Sequence, residues 1–193
     1  MGRRRAGLST LLGERRTRPA LELRALAESD ARELYALVKA NRERLAPWMP
    51  WAAAQTLAGT VAFIRHAIDQ EQLGDGFQRA LVVDGAIAGV AGFHRLDREN
   101  LSTSIGYWLG SRYEGAGVMS NAVAELLDHA FDEWGVHRVE LRAAPGNRRS
   151  RALAERLGFV EEGLLRGAER FAADDYRDLV VYSMLAGEWP GRD

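Results

Sequence analysis

The sequence predicts an α/β fold with a mixed sheet, and three features predict it. Between Phe77 and Leu109 the apolar residues fall in the short runs of strands, with Asp84-Gly85 set as a hairpin turn between the first two. From Val118 to Trp134 the period changes, and Ala122, Val123, Leu126, Leu127, Ala130, Phe131 and Trp134 share one face at helical spacing. Arg138 to Ala143 then reads as strand again, the strand–helix–strand order of a crossover.

Along the chain, Leu21–Ala25 alternates like a short strand. Ser29 or Asp30 suits the cap of a helix running through Leu34, Leu37 and Val38 toward Arg44. Ala46-Pro-Trp-Met-Pro-Trp51 is an aromatic loop held by two prolines, and a second helix near Thr56–Gln72 buries Leu57, Val61, Ile64 and Ile68. Strands are expected at Phe77–Val83, Ala86–His94 and Thr103–Leu109. After the long helix and the Arg138–Ala143 strand, a helix from Arg148 to Leu157 stops at Gly158, a residue suited to a left-handed C-terminal cap. Phe159–Glu162 and Tyr176–Leu185 supply the last strands.

At 193 residues the chain suits one domain large enough to bury a core without staples. It has no cysteine, which excludes a disulfide framework, a cysteine nucleophile and cysteine-bound metal, and which suits the cytoplasm. No apolar run approaches the ~18–20 residues of a membrane helix, so no membrane partner is expected. The net charge of -1 gives no global field to recruit nucleic acid. Charge is uneven, however: residues 1–20 hold six arginines against Glu14, leaving a surplus of negative charge in the remainder. Leu8 to Gly13 is too short for the apolar core of an export signal. Residues 1–20 are therefore read as a flexible, solvated basic arm and 21–193 as the folded domain.

The most chemical segment is Tyr107-Trp-Leu-Gly-Ser-Arg-Tyr-Glu-Gly-Ala-Gly-Val-Met-Ser120, where a strand enters a glycine loop and the long helix starts directly after. Free N–H groups and the positive dipole end at such a helix start bind phosphate, and glycine lets the anion approach the backbone. Arg112 can add a charged contact and Ser120 a hydroxyl. The loop lacks the Gly-Lys-Ser/Thr ending of a nucleotide triphosphatase and the full dinucleotide fingerprint. A plain glycine-rich turn is the competing reading.

Arg112-Tyr-Glu-Gly115-Ala-Gly117 resembles the Gln/Arg-x-x-Gly-x-Gly/Ala signature of the GNAT N-acetyltransferases. Asn147-Arg-Arg-Ser150, Leu157-Gly-Phe159 and Glu162-Gly163 resemble the second half of that fold. More narrowly, Ile105-Gly-Tyr-Trp-Leu109, Gly117-Val-Met-Ser120 and Leu21-Glu-Leu-Arg24 resemble the RimL/RimJ branch, which acetylates N-terminal amines of ribosomal proteins. The resemblance spans Leu21 to Leu185.

It implies a mostly antiparallel sheet, flanked by helices, whose central parallel strands, Thr103–Leu109 and Arg138–Ala143, splay apart around acetyl-CoA. The pyrophosphate would lie on the amides from Arg112 through Gly115, Ala116, Gly117, Val118 and Met119, with Ser120 beside them. Trp108 and Leu109 would offer backbone groups to the pantetheine arm, and an N–H near Leu109 would hold the developing oxyanion. Asn147 matches the asparagine that contacts pantetheine, although an asparagine here is also a favoured helix cap. Ser150 matches the serine that meets the leaving sulfur, although a first-turn serine often bonds locally. Glu169 matches the glutamate that takes the proton of the acceptor amine, although a carboxylate between Arg166 and Arg170 is commonly a surface ion pair. Phe171-Ala-Ala-Asp-Asp175 departs from the family by lacking the glycine of its tight turn. Trp48, Met49 and Trp51 are read as a wall of the acceptor groove.

No metal is expected, because His66, His94, His129 and His137 lack ligand spacing and are read as surface or core residues. The implied activity is direct acetyl transfer from acetyl-CoA to a primary amine, foremost a protein N-terminus, by a homodimer. The alternatives are a small-molecule amine such as a polyamine, amino acid or antibiotic, a non-catalytic acyl-CoA sensor, and a nucleic-acid-binding protein working through the arm.

Overall fold

The computed structural model of the protein describes residues 20–191, so the basic arm, but for residue 20, lies outside them. Seven strands form one sheet in the order β1-β2-β3-β4-β5-β7-β6. They are β1 (Leu21–Ala25), β2 (Gln78–Val83), β3 (Ala86–Phe93), β4 (Ser102–Leu109), β5 (Arg138–Ala143), β6 (Val160–Arg170) and β7 (Tyr176–Leu185). Only β4 and β5 are parallel, and the helix between them makes the crossover that a parallel pair requires. Asp84 and Gly85 both have positive φ, as the mirror-image turn of a tight hairpin demands.

Helices cover both faces. On one face, α1 (Ala31–Ala40), the single turn α2 (Arg42–Leu45) and α3 (Leu57–Gln72) bury Leu34, Val38 and Ile64 against Val82, Val90 and Trp108. On the other, α4 (Val118–Asp128) and α5 (Arg148–Arg156) bury Val123, Leu127 and Leu153 against Leu141 and Tyr182. Thr56 caps α3 by accepting from Gly59 N–H. The long helix expected to Trp134 loosens into a wide π turn over His129–Glu133. Among the described residues no helix is long and apolar enough to cross a membrane.

Three local expectations are corrected. The first helix does not run to Arg44 but breaks at Asn41, a buried residue with φ -115 and ψ 9. Its amide donates to Leu37 O at 2.9 Å and accepts from Ser111 N–H at 2.8 Å, so its side chain competes with the helix. Neither Ser29 nor Asp30 caps α1 by its side chain. The Asp30 carboxylate instead accepts from Ala27 N–H and from both terminal nitrogens of the Arg24 guanidinium. Finally, β6 runs on from Glu162 to Arg170. As an exposed edge strand bent by register shifts around Gly163 and Gly167, it has no buried face to write an alternating pattern.

Candidate active site

The site begins where sheet pairing stops. The β4–β5 ladder runs from Ser102 opposite Arg138 to Ile105 opposite Leu141 and goes no further, although β4 continues to Leu109 and β5 to Ala143. On its other side β4 is bonded to β3 both within and beyond that ladder: Ser104 C=O accepts from His94 N–H, and Gly110 N–H donates to Ala88 C=O. Backbone groups alternate sides along a strand. The N–H and C=O of Tyr107 and Leu109 therefore face the gap, while those of Trp108 face β3. This corrects the expected Trp108 backbone contact; its indole instead packs edge-on against Trp51 at 6.0 Å.

The gap opens into a cleft of about 1480 Å³. That exceeds the roughly 300–1,000 Å³ of a single small-ligand site and leaves room for two substrates. At one end the loop after β4 brings Gly115 and Gly117 before the first turn of α4. Both have positive φ, 76° and 78°, and a Cβ on either would meet no atom within 4 Å. They are glycines for their backbone conformation, and the open space beside them is the cleft. The first N–H groups of α4, from Val118, Met119 and Ser120, have no carbonyl one turn back. Arg156 from α5 reaches across and donates to Ser120 Oγ at 3.1 Å. Arg112 and Ala116 are not brought into the lining, and the Arg112 guanidinium lies over the Tyr113 ring at 4.7 Å.

In the middle of the cleft, Asn147 caps α5 by accepting from Ser150 N–H at 3.3 Å. Ser150 Oγ lies 2.8 Å from the Tyr107 hydroxyl. Burial pushes the Tyr107 phenol up to about 12, so it keeps its proton and the two hydroxyls form a donor chain. Glu169 of β6 lines the cleft together with Trp48, Met49 and Trp51. Burial raises its carboxyl above the ordinary range, with the Arg177 charge pulling the other way. Arg177 also donates to Pro47 O at 2.9 Å, tying the start of β7 to the tryptophan loop.

This arrangement has counterparts among known proteins. The acetyltransferase (GNAT) domain pattern matches residues 20–160. The chain belongs to the GNAT acetyltransferase family. Within that family, Bacillus subtilis YdaF is 36% identical over 173 residues, covering 89% of this chain and 94% of that protein. RimL, the ribosomal L7/L12 alpha-N-protein acetyltransferase solved in complex with coenzyme A, matches with a TM-score of 0.80 at 29% identity, over 86% of this chain and 93% of that one. The microcin C7 self-immunity acetyltransferase MccE, solved with acetyl-CoA and AMP, matches with a TM-score of 0.80 at 30% identity, over 86% and 92%. This GNAT chain is thus an acyltransferase related to the ribosomal-protein N-acetyltransferases.

The fold of this GNAT member brings Trp48, Met49, Trp51, Trp108, Leu109, Gly115, Gly117, Val118, Met119, Ser120, Asn147, Ser150 and Glu169 to one cleft. Sequence reasoning missed Tyr107 as a site residue, although it lies two residues before Leu109 and so on the same side of β4. It also missed the Arg44–Glu114–Arg149 bridge at the cleft mouth, in which Arg44 further donates to Leu109 O. No local signal marks that bridge, because its members lie far apart in the chain.

Proposed function

We propose that the protein transfers the acetyl group of acetyl-CoA to the N-terminal α-amine of a protein, with a ribosomal protein the leading acceptor, in the cytoplasm. The observation that carries the choice of acceptor is the charge of the cleft. Arg44, Arg142, Arg148, Arg149 and Arg156 line it against Glu114 and Glu169, and Glu114 is already bridged by two arginines. With Glu114 so bridged, Glu169 is the lining carboxylate left for an ammonium, too few for the several charges of a polyamine, whereas a peptide brings one ammonium and an otherwise uncharged backbone to the aromatic wall.

The residues present fit acetyl-CoA. The start of α4 suits its pyrophosphate, and the unpaired edge of β4 suits its pantetheine amides. When bound, acetyl-CoA supplies the activated acyl group. The acceptor α-amine has a pKa of about 7.7–8.0, so it arrives largely protonated at neutral pH. Glu169, poised by its raised pKa, accepts a proton and frees the nitrogen lone pair to attack the carbonyl carbon. The Leu109 N–H faces the gap and stabilises the oxygen that gains charge. The Tyr107–Ser150 hydroxyl chain donates toward the leaving sulfur, and no cysteine is present to carry the acyl group instead. The reading extends to a homodimer, supported by Val160, Leu164 and Leu165 exposed on edge strand β6. A single monomeric species in sedimentation at micromolar concentration would remove that part.

The test is thiol release from acetyl-CoA with peptides beginning in Ser or Ala, set beside spermidine and free amino acids. Turnover with the peptides and none with spermidine is expected; the reverse preference overturns the choice of acceptor.

A further inference from the structure

His94, one residue beyond β3, also lines the cleft that holds Glu169. Its Nδ1 lies 3.0 Å from Ser104 Oγ, which fixes the ring. The Nε2 edge lies over Gly106, the first β4 residue beyond the last rung shared with β5. A Cβ at Gly106 would stand 2.6 Å from Nε2 and 2.7 Å from Cε1, and its three nearest atoms all belong to this imidazole. Gly106 is therefore the space the ring occupies. Ser104 and Gly106 alternate with Ile105 and Tyr107, so they face the side of Trp108 and the tryptophan loop, where the acceptor enters.

The chemistry needs more than one proton acceptor. An ammonium that becomes an amide loses two protons: one before attack, to free the lone pair, and one after, when nitrogen is bonded to the acyl carbon. One balances the thiolate that leaves as a thiol, and the other goes to solvent. We propose that His94 is a second proton acceptor at the acceptor end of the cleft, its Nε2 taking one of these protons while Glu169 takes the other. The inference rests on the amine-acetylation reading above.

The surroundings keep the imidazole neutral and receptive. Crowding by the protein and the Arg142 charge on β5 hold it below the usual histidine range. β4 presents Ser104 and Gly106, while Gln78 of β2 and Gln70 of α3 bond the carbonyls of Phe93 and His94, all uncharged groups.

The experiment is the pH profile of kcat for the wild-type protein, His94→Gln, His94→Ala and Gly106→Ala, with acetyl-CoA affinity measured alongside. It uses whichever amine the wild-type protein acetylates, so that a change of acceptor class leaves the test of His94 intact. Below both titrations the wild-type profile should approach a slope of two in log kcat, and His94→Gln a slope of one. At neutral pH the histidine variants should lose at least about tenfold in kcat, less than the roughly 10²–10⁴-fold of a sole general base because Glu169 remains, with acetyl-CoA affinity kept. Free imidazole should restore part of the His94→Ala loss, and Gly106→Ala should mimic that loss by displacing the ring. An unchanged profile in His94→Gln overturns the proposal, as does a loss matched by weaker acetyl-CoA binding without imidazole rescue.

Discussion

Gly117 separates the backbone requirement of the phosphate loop from its electrostatic one. It sits at φ 78° directly before α4, and a Cβ there would find no atom within 4 Å. Replacing it therefore costs conformation and not contact: roughly 1–2 kcal/mol for an L-residue held left-handed. At this chain length, that lowers Tm by about 2–8 °C. Asn and Asp tolerate the conformation similarly and have the same shape, so Gly117→Asp against Gly117→Asn isolates charge. With a carboxylate about 5 Å from a bound phosphate and an effective dielectric of 20–80, repulsion is roughly 0.8–3 kcal/mol per unit charge, or about 4- to 150-fold in Kd. Calorimetric titration with acetyl-CoA should show that gap at low salt. It should narrow by about 1 M salt, where the screening length falls to about 3 Å. Equal affinity of the two variants at low salt would refute the placement of phosphate at this helix start, whatever their stability.

Three further outcomes are expected. Glu169→Gln should lower kcat by about 10²–10⁴-fold with acetyl-CoA affinity kept. The base works only when ionised and burial raises its pKa, so wild-type kcat should climb with pH through a value above the ordinary 4.5, and this component of the climb should vanish in the variant. Asn41→Ala removes both hydrogen bonds of this buried amide, to Leu37 O and from Ser111 N–H, and should cost about 1–3 kcal/mol, read as a lower Tm together with weaker acetyl-CoA binding as the loop after β4 loosens. Asp30 has its pKa lowered, first by the Arg24 hydrogen bonds. Its stabilisation is full above the unfolded value near 3.9 and is lost as pH falls from there through the lower folded value. Melting curves from pH 6 down to 2 should thus fall more steeply for the wild type than for Asp30→Asn.

What could be read in the sequence was what repetition or spacing writes down. The one-sided run from Ala122, the Asp84-Gly85 turn and the glycine loop before Val118 all express local geometry, and each element stands where expected, save that the helix passes into a π turn after Asp128. The run of β6 beyond Glu162 escaped because an edge strand with exposed Val160, Leu164 and Leu165 and two register shifts has no inside for a pattern to mark. The break at Asn41 escaped for a different reason. Its cause is a hydrogen bond to Ser111, seventy positions away, and Asn41 alone looks like any polar helix residue. His94 read as an ordinary histidine because its meaning depends on Gly106, which it meets only across two paired strands.

The parted strands pose a problem that the same residues resolve. Opening β4 from β5 leaves the polar backbone of Tyr107 and Leu109 without a neighbouring strand, and such groups are costly to leave unpaired. Two devices hold β4 in place despite this. Gly89 lets β3 approach β4 so closely that a Cβ there would stand 2.2 Å from Trp108 O, which binds the far half of β4 to β3, and Gly92 approaches Phe77 O as closely on the β2 side. Arg44, from the turn that exists because Asn41 breaks the first helix, donates to Leu109 O and bridges Glu114 of the phosphate loop. The groups that still face the gap are then those a pantetheine amide can satisfy. The helix break, the glycine pairs and the arginine bridge are thus parts of one requirement, a sheet held open along a single edge so that a ligand can complete it.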